Sequence, residues 1–170
     1  MIVLLGYMGC GKSSIGKHLK DYHNLSYCDL DLYIEKEEKQ TISDIFDSKG
    51  EIYFRKIEHQ YLKQVIKNQK IDILALGGGT PCYAENMDLL NSKTTVKSIY
   101  LKVNLEILTD RLFRQRLQRP LISNIETQKQ LKDFIRKHLF EREYYYRQAE
   151  IIIDVSDLNI EKTANKILEL

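Results

Sequence analysis

A chain of 170 residues has room for one domain with a core of its own, so any active site must lie within that single unit. Its 26 basic and 24 acidic side chains leave a formal charge of +2, too near balance to supply the sequence-wide positive field that nucleic-acid binding uses. The three cysteines, Cys10, Cys28 and Cys82, are odd in number and scattered, which argues against a disulfide framework or a C-x-x-C zinc site and points to a reducing, cytoplasmic setting.

Ile2 to Leu5 is a short apolar run before Gly6, with no basic segment ahead of it and no cleavage site behind, so it reads as a buried strand and not as a signal peptide. Similar runs at Leu25 to Cys28, Ile71 to Leu76, Val96 to Leu101 and Ile151 to Val155 read as further strands buried on both faces. None approaches the roughly 18–20 apolar residues that a membrane-spanning helix needs. Between the runs lie helical patterns. Lys12 to Tyr22 sets Ile15, Leu19 and Tyr22 on one stripe, and the last segment does the same with Ile160, Ala164, Ile167 and Leu168. Strands alternating with helices predict an α/β fold, a parallel sheet covered on both faces. Two stretches depart from that alternation. Residues of about 31–68 are almost wholly helical in pattern, broken at Gly50, and are expected to form a substrate-binding insert. The polar, arginine-rich stretch of about 113–126 is expected to form a lid. No repeat or linker divides the chain.

Gly6-Tyr7-Met8-Gly9-Cys10-Gly11-Lys12-Ser13 matches G-x-x-x-x-G-K-[ST] between a predicted strand and a predicted amphipathic helix, the context that gives the pattern its meaning. Its glycines let successive N–H groups curl around phosphate oxygens, and the helix that follows directs the positive end of its dipole at them. Lys12 is placed to reach the β- and γ-phosphates and the Ser13 hydroxyl to ligate magnesium. Cys10 reads as a position that needs a small side chain.

A kinase site also needs an acidic anchor for magnesium and a group to orient or deprotonate the acceptor hydroxyl. Asp29 and Asp31 supply both at the carboxyl edge of the second strand, where ligands bind in open α/β sheets. Taken alone, Asp31 reads equally well as the cap of a helix beginning near Leu32. The third strand runs into Gly77-Gly78-Gly79 with no terminal aspartate, which leaves Asp29 as the nearest metal anchor. The triple glycine permits close backbone approach, or simply a tight turn completed by Thr80 and Pro81. Arg55 and Glu58 stand at i, i+3; taken alone they read as a surface ion pair. Arg142 extends the stripe Leu131, Ile135, Leu139 of a helix predicted over 129–147, and a guanidinium there wants an anionic partner. Arg119, before Pro120 and Leu121, lies in the lid, where it is either a solvated charge or a group that closes over the transferring phosphoryl. The Tyr144-Tyr145-Tyr146 run reads as helix packing.

The phosphate loop, Asp29-x-Asp31, Phe54-Arg55 with Glu58, Gly77-Gly78-Gly79, Arg119-Pro120-Leu121 and Arg142 followed by Tyr146 and Ala149 resemble shikimate kinases in order and approximate spacing over essentially the whole chain. The resemblance implies a three-layer α/β/α P-loop NTPase fold like that of nucleoside monophosphate kinases: a five-stranded parallel sheet, a helical substrate-binding insert and a mobile lid. It also implies transfer of the γ-phosphoryl of ATP, with Mg2+, to the 3-hydroxyl of shikimate on the route to chorismate, by a monomer with neither nucleic-acid nor membrane partners. Carried over by position, Gly9, Cys10, Gly11, Lys12, Ser13, Ser14 and Arg119 bind ATP; Asp31, Arg55, Gly77, Gly78, Gly79 and Arg142 bind shikimate. Asp31, Lys12 and Arg119 are catalytic, and Ser13 and, through water, Asp29 hold the metal. Arg111, Arg114 and Arg116 are available to stack on adenine, with Ser156 and Asp157 in the adenine region. Many relatives carry proline two residues after the arginine matching Arg142, where this chain has Tyr144. The competing expectations are a kinase of the same fold acting on gluconate or a nucleoside monophosphate, and a nucleotide-binding regulatory module without chemistry.

Overall fold

A computed structural model describes residues 1–170. The chain opens with β1 (Ile2–Leu5), α1 (Lys12–His23), β2 (Tyr27–Asp29), α2 (Leu30–Glu38), α3 (Ile42–Ile66) and β3 (Ile73–Ala75). It continues through a 3-10 turn at Thr80–Cys82 into α4 (Asn86–Asn91), β4 (Lys97–Lys102), α5 (Leu105–Arg114), α6 (Gln128–Tyr146), β5 (Ile151–Asp154) and α7 (Ile160–Leu168). The strands form one five-stranded parallel sheet in the order β2-β3-β1-β4-β5, inside a three-layer α/β/α arrangement in which α1 packs on α7, α2 on α3 and α5 on α6.

Strand position explains which apolar runs are buried. β1, β3 and β4 are central, and Val3, Leu4, Leu5, Ile73, Leu74, Ile99 and Leu101 are fully enclosed among helices. β2 and β5 are edges, so their expected burial on both faces does not occur: no β2 residue is fully buried, and Ile152 of β5 is exposed. The helical stripes shift for a similar reason. Ile15 and Leu19 enter the core, but Tyr22 is 75% exposed at the far end of α1; on α7 the buried stripe is Thr163, Ala164 and Ile167, with Ile160 and Leu168 at its margins.

The stretch expected to be broken only at Gly50 is two helices, because α2 stops at Lys39 in the left-handed region and Thr41 starts α3 with a reciprocal cap to Asp44. Gly50 then kinks α3, at φ 79° and ψ 171°. Residues 115–127 hold only two short 3-10 turns, Arg116–Gln118 and Pro120–Ile122, before Thr127 and Gln130 cap α6 in the same reciprocal manner.

The strand order places the site. The chain steps from β1 outward to β2 and back to β3, then crosses β1 to reach β4 and β5, so the connections diverge at the carboxyl end of β1. An open parallel sheet is parted at such a switch point, and ligands enter there. The loop Gly6–Gly11 leaves β1 at that place.

Candidate active site

Gly6 shows why the loop follows the main chain so closely: its φ is 139°, and a Cβ there would stand 2.8 Å from the Leu101 carbonyl oxygen. The loop then closes with Cys10 N–H donating to Tyr7 O at 3.2 Å, and α1 begins at Lys12. The free N–H groups of the first helical turn and the dipole behind them make this end of α1 an anion seat. The Lys12 ammonium is nearly buried and donates to Gly6 O at 2.8 Å and Tyr7 O at 3.1 Å. Buried Cys10 lies 3.6 Å from it and fills the small space under the loop.

In front of the loop is a cleft of about 800 Å³. It gathers Gly9, Cys10, Gly11, Lys12, Ser13, Ser14, Asp29, Asp31, Gly77, Gly78 and Arg119 from four separate stretches of chain. Its far end is lined by Arg111, Val155, Leu158, Asn159, Ile160, Glu161 and Thr163. Ser156 and Asp157, expected near adenine, are not on that wall: Ser156 turns away to accept the Asn104 N–H at 2.9 Å. Arg111 reaches the loop itself, donating to Gly9 O at 3.4 Å, whereas Arg114 and Arg116 do not line the cleft.

The two aspartates differ in environment. Asp29, and not Asp31, caps α2, which begins two residues earlier than expected at Leu30. Three donors converge on the Asp29 carboxylate: Asp31 N–H at 3.1 Å, Ser13 Oγ at 3.0 Å and the Tyr27 hydroxyl at 3.1 Å. The Ser13–Asp29 pair, two hard oxygens beside the anion seat, suits Mg2+, which takes few protein oxygens and shares phosphates and water. Asp31 makes no such bonds through its side chain. It rests against Gly77, where a Cβ would lie 2.7 Å from Asp31 Oδ1. Burial, then the neighbouring charges of Asp29 and Glu58, raise its pKa from the ordinary 3.8 to about 7, against the opposing pull of Lys12.

Arg55, Gly79 and Arg142 stand beyond the cleft wall, around the Thr80–Cys82 turn. A Cβ on Gly79 would come within 2.9 Å of Arg55 Nη2, so the guanidinium lies directly on that glycine. Arg55 Nη1 donates to Glu58 Oε2 at 2.9 Å while Thr80 Oγ1 donates to Glu58 Oε1 at 2.6 Å. Glu58 is 1% exposed, so this is no surface ion pair but a buried brace. Arg142 sits over the Tyr7 ring at 5.9 Å, and the Cys82 thiol lies in the field of both Arg142 and Arg55. None of Lys12, Arg111, Arg119 and Arg142 is within ion-pair distance of a carboxylate. Three of these unpaired cations, Lys12, Arg111 and Arg119, line the cleft and Arg142 stands just beyond it, an arrangement that calls for an anionic ligand.

The shikimate kinase family model matches residues 8–170. The chain belongs to the shikimate kinase family. A curated shikimate kinase of Flavobacterium johnsoniae is 43% identical over 99% of this chain and 97% of its own length, and one of Flavobacterium psychrophilum is 45% identical over 98% of each. Among solved structures, shikimate kinase of Bacteroides thetaiotaomicron superposes with a TM-score of 0.89 at 34% identity, covering 99% of this chain and 98% of that one. Shikimate kinase of Acinetobacter baumannii, solved in complex with shikimate, gives 0.83 at 31% identity over 99% and 90% of the two chains. Members of this family are ATP-dependent kinases that phosphorylate an alcohol group of shikimate, and the chain is such an enzyme.

Two contacts of this shikimate kinase site were not read from the sequence, although Tyr146 stood in the pattern that carried the resemblance. Tyr146 is buried and donates its hydroxyl to Gly78 O at 2.5 Å, strapping α6 to the glycine run; its position one helical turn after Arg142 was the available signal. Tyr27 lies over Gly16, where a Cβ would come within 2.1 Å of the ring, and thereby reaches Asp29. A glycine inside an amphipathic helix was the hint for that contact.

Proposed function

We propose that the γ-phosphoryl group of ATP passes to the 3-hydroxyl of shikimate with Asp31 as the base, giving shikimate 3-phosphate and ADP. The observation that carries this reading is the Asp31 carboxylate: half-buried, free of side-chain hydrogen bonds, and with a pKa pushed up to about 7 beside the phosphate loop. A carboxylate so placed is ionised in part near neutrality and keeps enough basicity to take a hydroxyl proton as the oxygen attacks phosphorus.

The other roles follow from charge and position. Gly9 to Ser14 hold the phosphates through backbone N–H groups and the Ser13 hydroxyl. Lys12 and Arg119 spread the charge of the transferring group, Arg119 being held at its rim by Gln115 at 3.1 Å. Arg55 and Arg142 grip the shikimate carboxylate, with Gly77, Gly78 and Gly79 admitting the ring close to main chain. Ser13 and, through water, Asp29 hold Mg2+, which neutralises phosphate charge when bound. Residues of about 31–68 act as the acceptor-binding insert and about 113–126 as the lid. The enzyme works as a cytoplasmic monomer, which fits a chain whose own elements supply every group named. No helix is long and apolar enough to cross a membrane.

The test is ADP release from MgATP with shikimate, gluconate, AMP or no acceptor, compared side by side. Strong release with shikimate alone is expected, with the phosphate on the 3-position by NMR. Phosphorylation at another hydroxyl would end the assignment of Asp31 to the 3-hydroxyl.

A further inference from the structure

After the Thr80–Cys82 turn the chain does something costly. Ala84 and Glu85 follow one another at φ 51° and 56°, both in the left-handed region and neither a glycine, before α4 begins at Asn86. Residues with a Cβ hold that conformation only where their surroundings impose it. Here Asn86 imposes it. Its side chain is wholly buried, with Nδ2 donating to Thr80 O at 2.8 Å and Oδ1 accepting from His59 Nδ1 at 2.7 Å, while its own N–H donates to Tyr83 O at 3.0 Å. The loop is thereby fixed to α3 on the same side as Arg55.

What the loop delivers is the Tyr83 ring, whose centroid lies 4.0 Å from Arg55 Cζ. Phe54 and Phe46 stand farther from the same guanidinium, at 5.1 and 6.0 Å. Tyr83 is 37% exposed, so burial of an aromatic surface does not account for its place. The guanidinium thus has Tyr83 on a face, Glu58 on Nη1, Glu51 on Nε at 3.4 Å, and Gly79 beside Nη2. Stacking on a ring face attracts a cation and stops the planar group from turning about its last bond.

We propose that Tyr83 is a positioning residue for the acceptor site: its ring, held by the Ala84–Glu85 turn and the Asn86 clamp, fixes the Arg55 guanidinium so that its free edge faces the carboxylate of shikimate. The proposal rests on Arg55 being a ligand of that carboxylate. It assigns specificity for an anionic acceptor partly to a residue that does not itself line the cleft.

The experiment measures steady-state constants for both substrates, with a thermal melt of each protein, for Tyr83→Leu, Tyr83→Phe, Arg55→Gln and the double variant Tyr83→Leu/Arg55→Gln. Tyr83→Leu is expected to raise the KM for shikimate about five-fold, the scale of a partly desolvated cation–π contact, with kcat and the KM for ATP changed by less than about two-fold. Tyr83→Phe keeps the ring face and is expected to behave as the parent. Tyr83→Leu is expected to add nothing once Arg55 is Gln, because the two act through one contact. Where Tyr83→Leu does not fold, Tyr83→Gln takes its place. The proposal is overturned if Tyr83→Leu leaves the shikimate KM unchanged, if Tyr83→Phe is as damaged as Tyr83→Leu, or if the two single effects simply add. Those outcomes leave the Arg55 reading standing. An unchanged shikimate KM in Arg55→Gln would instead remove the reading beneath it, and the proposal with it.

Discussion

The phosphate loop is a local structure: Gly6 to Ser13 are contiguous, the Lys12 ammonium is satisfied by carbonyls five and six residues away, and α1 completes the seat. The proposed acceptor site is a convergence. Asp31 comes from α2, Arg55 and Glu58 from α3, Thr80 from the turn after β3, and Arg142 from α6. In the first half backbone geometry makes the anion seat, and the Lys12 charge is held by main-chain carbonyls. In the second, side chains hold one another, and Asp31 is left with acidic neighbours and no hydrogen-bonded partner for its carboxylate. The difference teaches where chemistry and where recognition can be altered separately. A contiguous loop tolerates little change, whereas a convergent site can be retuned through any of the segments that meet there.

Asp31→Asn is the sharpest way to separate the halves. It should lower kcat by about 10²–10⁴-fold, the usual worth of a general base, while nucleotide affinity by calorimetry stays within about two-fold. In the parent enzyme, kcat/KM for shikimate should fall as pH drops below about 7, where Asp31 takes up a proton. A pH profile unchanged in Asp31→Asn would assign that limb to another group. Gly79→Ala should act next most strongly and on the acceptor half alone. Its Cβ would crowd Arg55 Nη2 at 2.9 Å, and a forced shift worth about 1–2 kcal/mol corresponds to a shikimate KM raised about ten-fold, with the ATP KM unmoved. An equal rise in both constants would show that the glycine run serves the nucleotide as well.

This same contrast explains how far the amino-acid order alone carries. The phosphate loop was legible because eight adjacent residues contain the whole device. The sheet was legible because apolar runs alternate with helical stripes. Strand order was not, and without it the edge positions of β2 and β5, and so the exposure of Ile152, could not be read. Arg55 and Glu58 were visible as neighbours on a helix, but their burial depends on Thr80 arriving from a segment 22 residues away. The cap on α2 fell to Asp29 because its Oδ1 takes the Asp31 N–H, and that freed the Asp31 side chain for the cleft. Cap and free carboxylate were indistinguishable until the position of Gly77 was known. Tyr83 carried no signal at all, since its role depends on a left-handed pair of residues that no motif announces.

The imbalance of the acceptor half has a thermodynamic consequence. Asp31 binds its proton more tightly in the folded protein, at about 7, than in the unfolded chain, near 3.8. Between those two values the folded state holds more protons, so stability must fall as pH rises through that window. Asp31→Asn removes the titration and should stabilise the protein at pH 8 by about 1–3 kcal/mol, a discounted fraction of the shift at about 1.4 kcal/mol per unit. Below about pH 3 the gain should all but vanish, because the carboxyl is then mostly neutral in both states. Denaturant midpoints at about pH 8 and near pH 3 decide it, and equal gains at both would mean that Asp31 carries no electrostatic strain.

Tyr146→Phe probes whether the halves are mechanically independent. The hydroxyl lost is the one that straps α6 to Gly78 O, and a Cβ on Gly78 would lie only 3.3 Å from the Met8 N of the phosphate loop. A net hydrogen bond is worth about 0.5–1.5 kcal/mol, so the melting temperature should fall by about 1–6 °C for a chain of this size. If Gly78 is the joint between the halves, the KM values for shikimate and ATP should rise together, each by about two-fold, as the freed carbonyl lets the glycine run drift from Met8. A change in the shikimate constant alone would place the strap wholly in the acceptor half. The phosphate loop would then be insulated from α6, and any coupling between the two substrates would have to run through the aspartates at the end of β2.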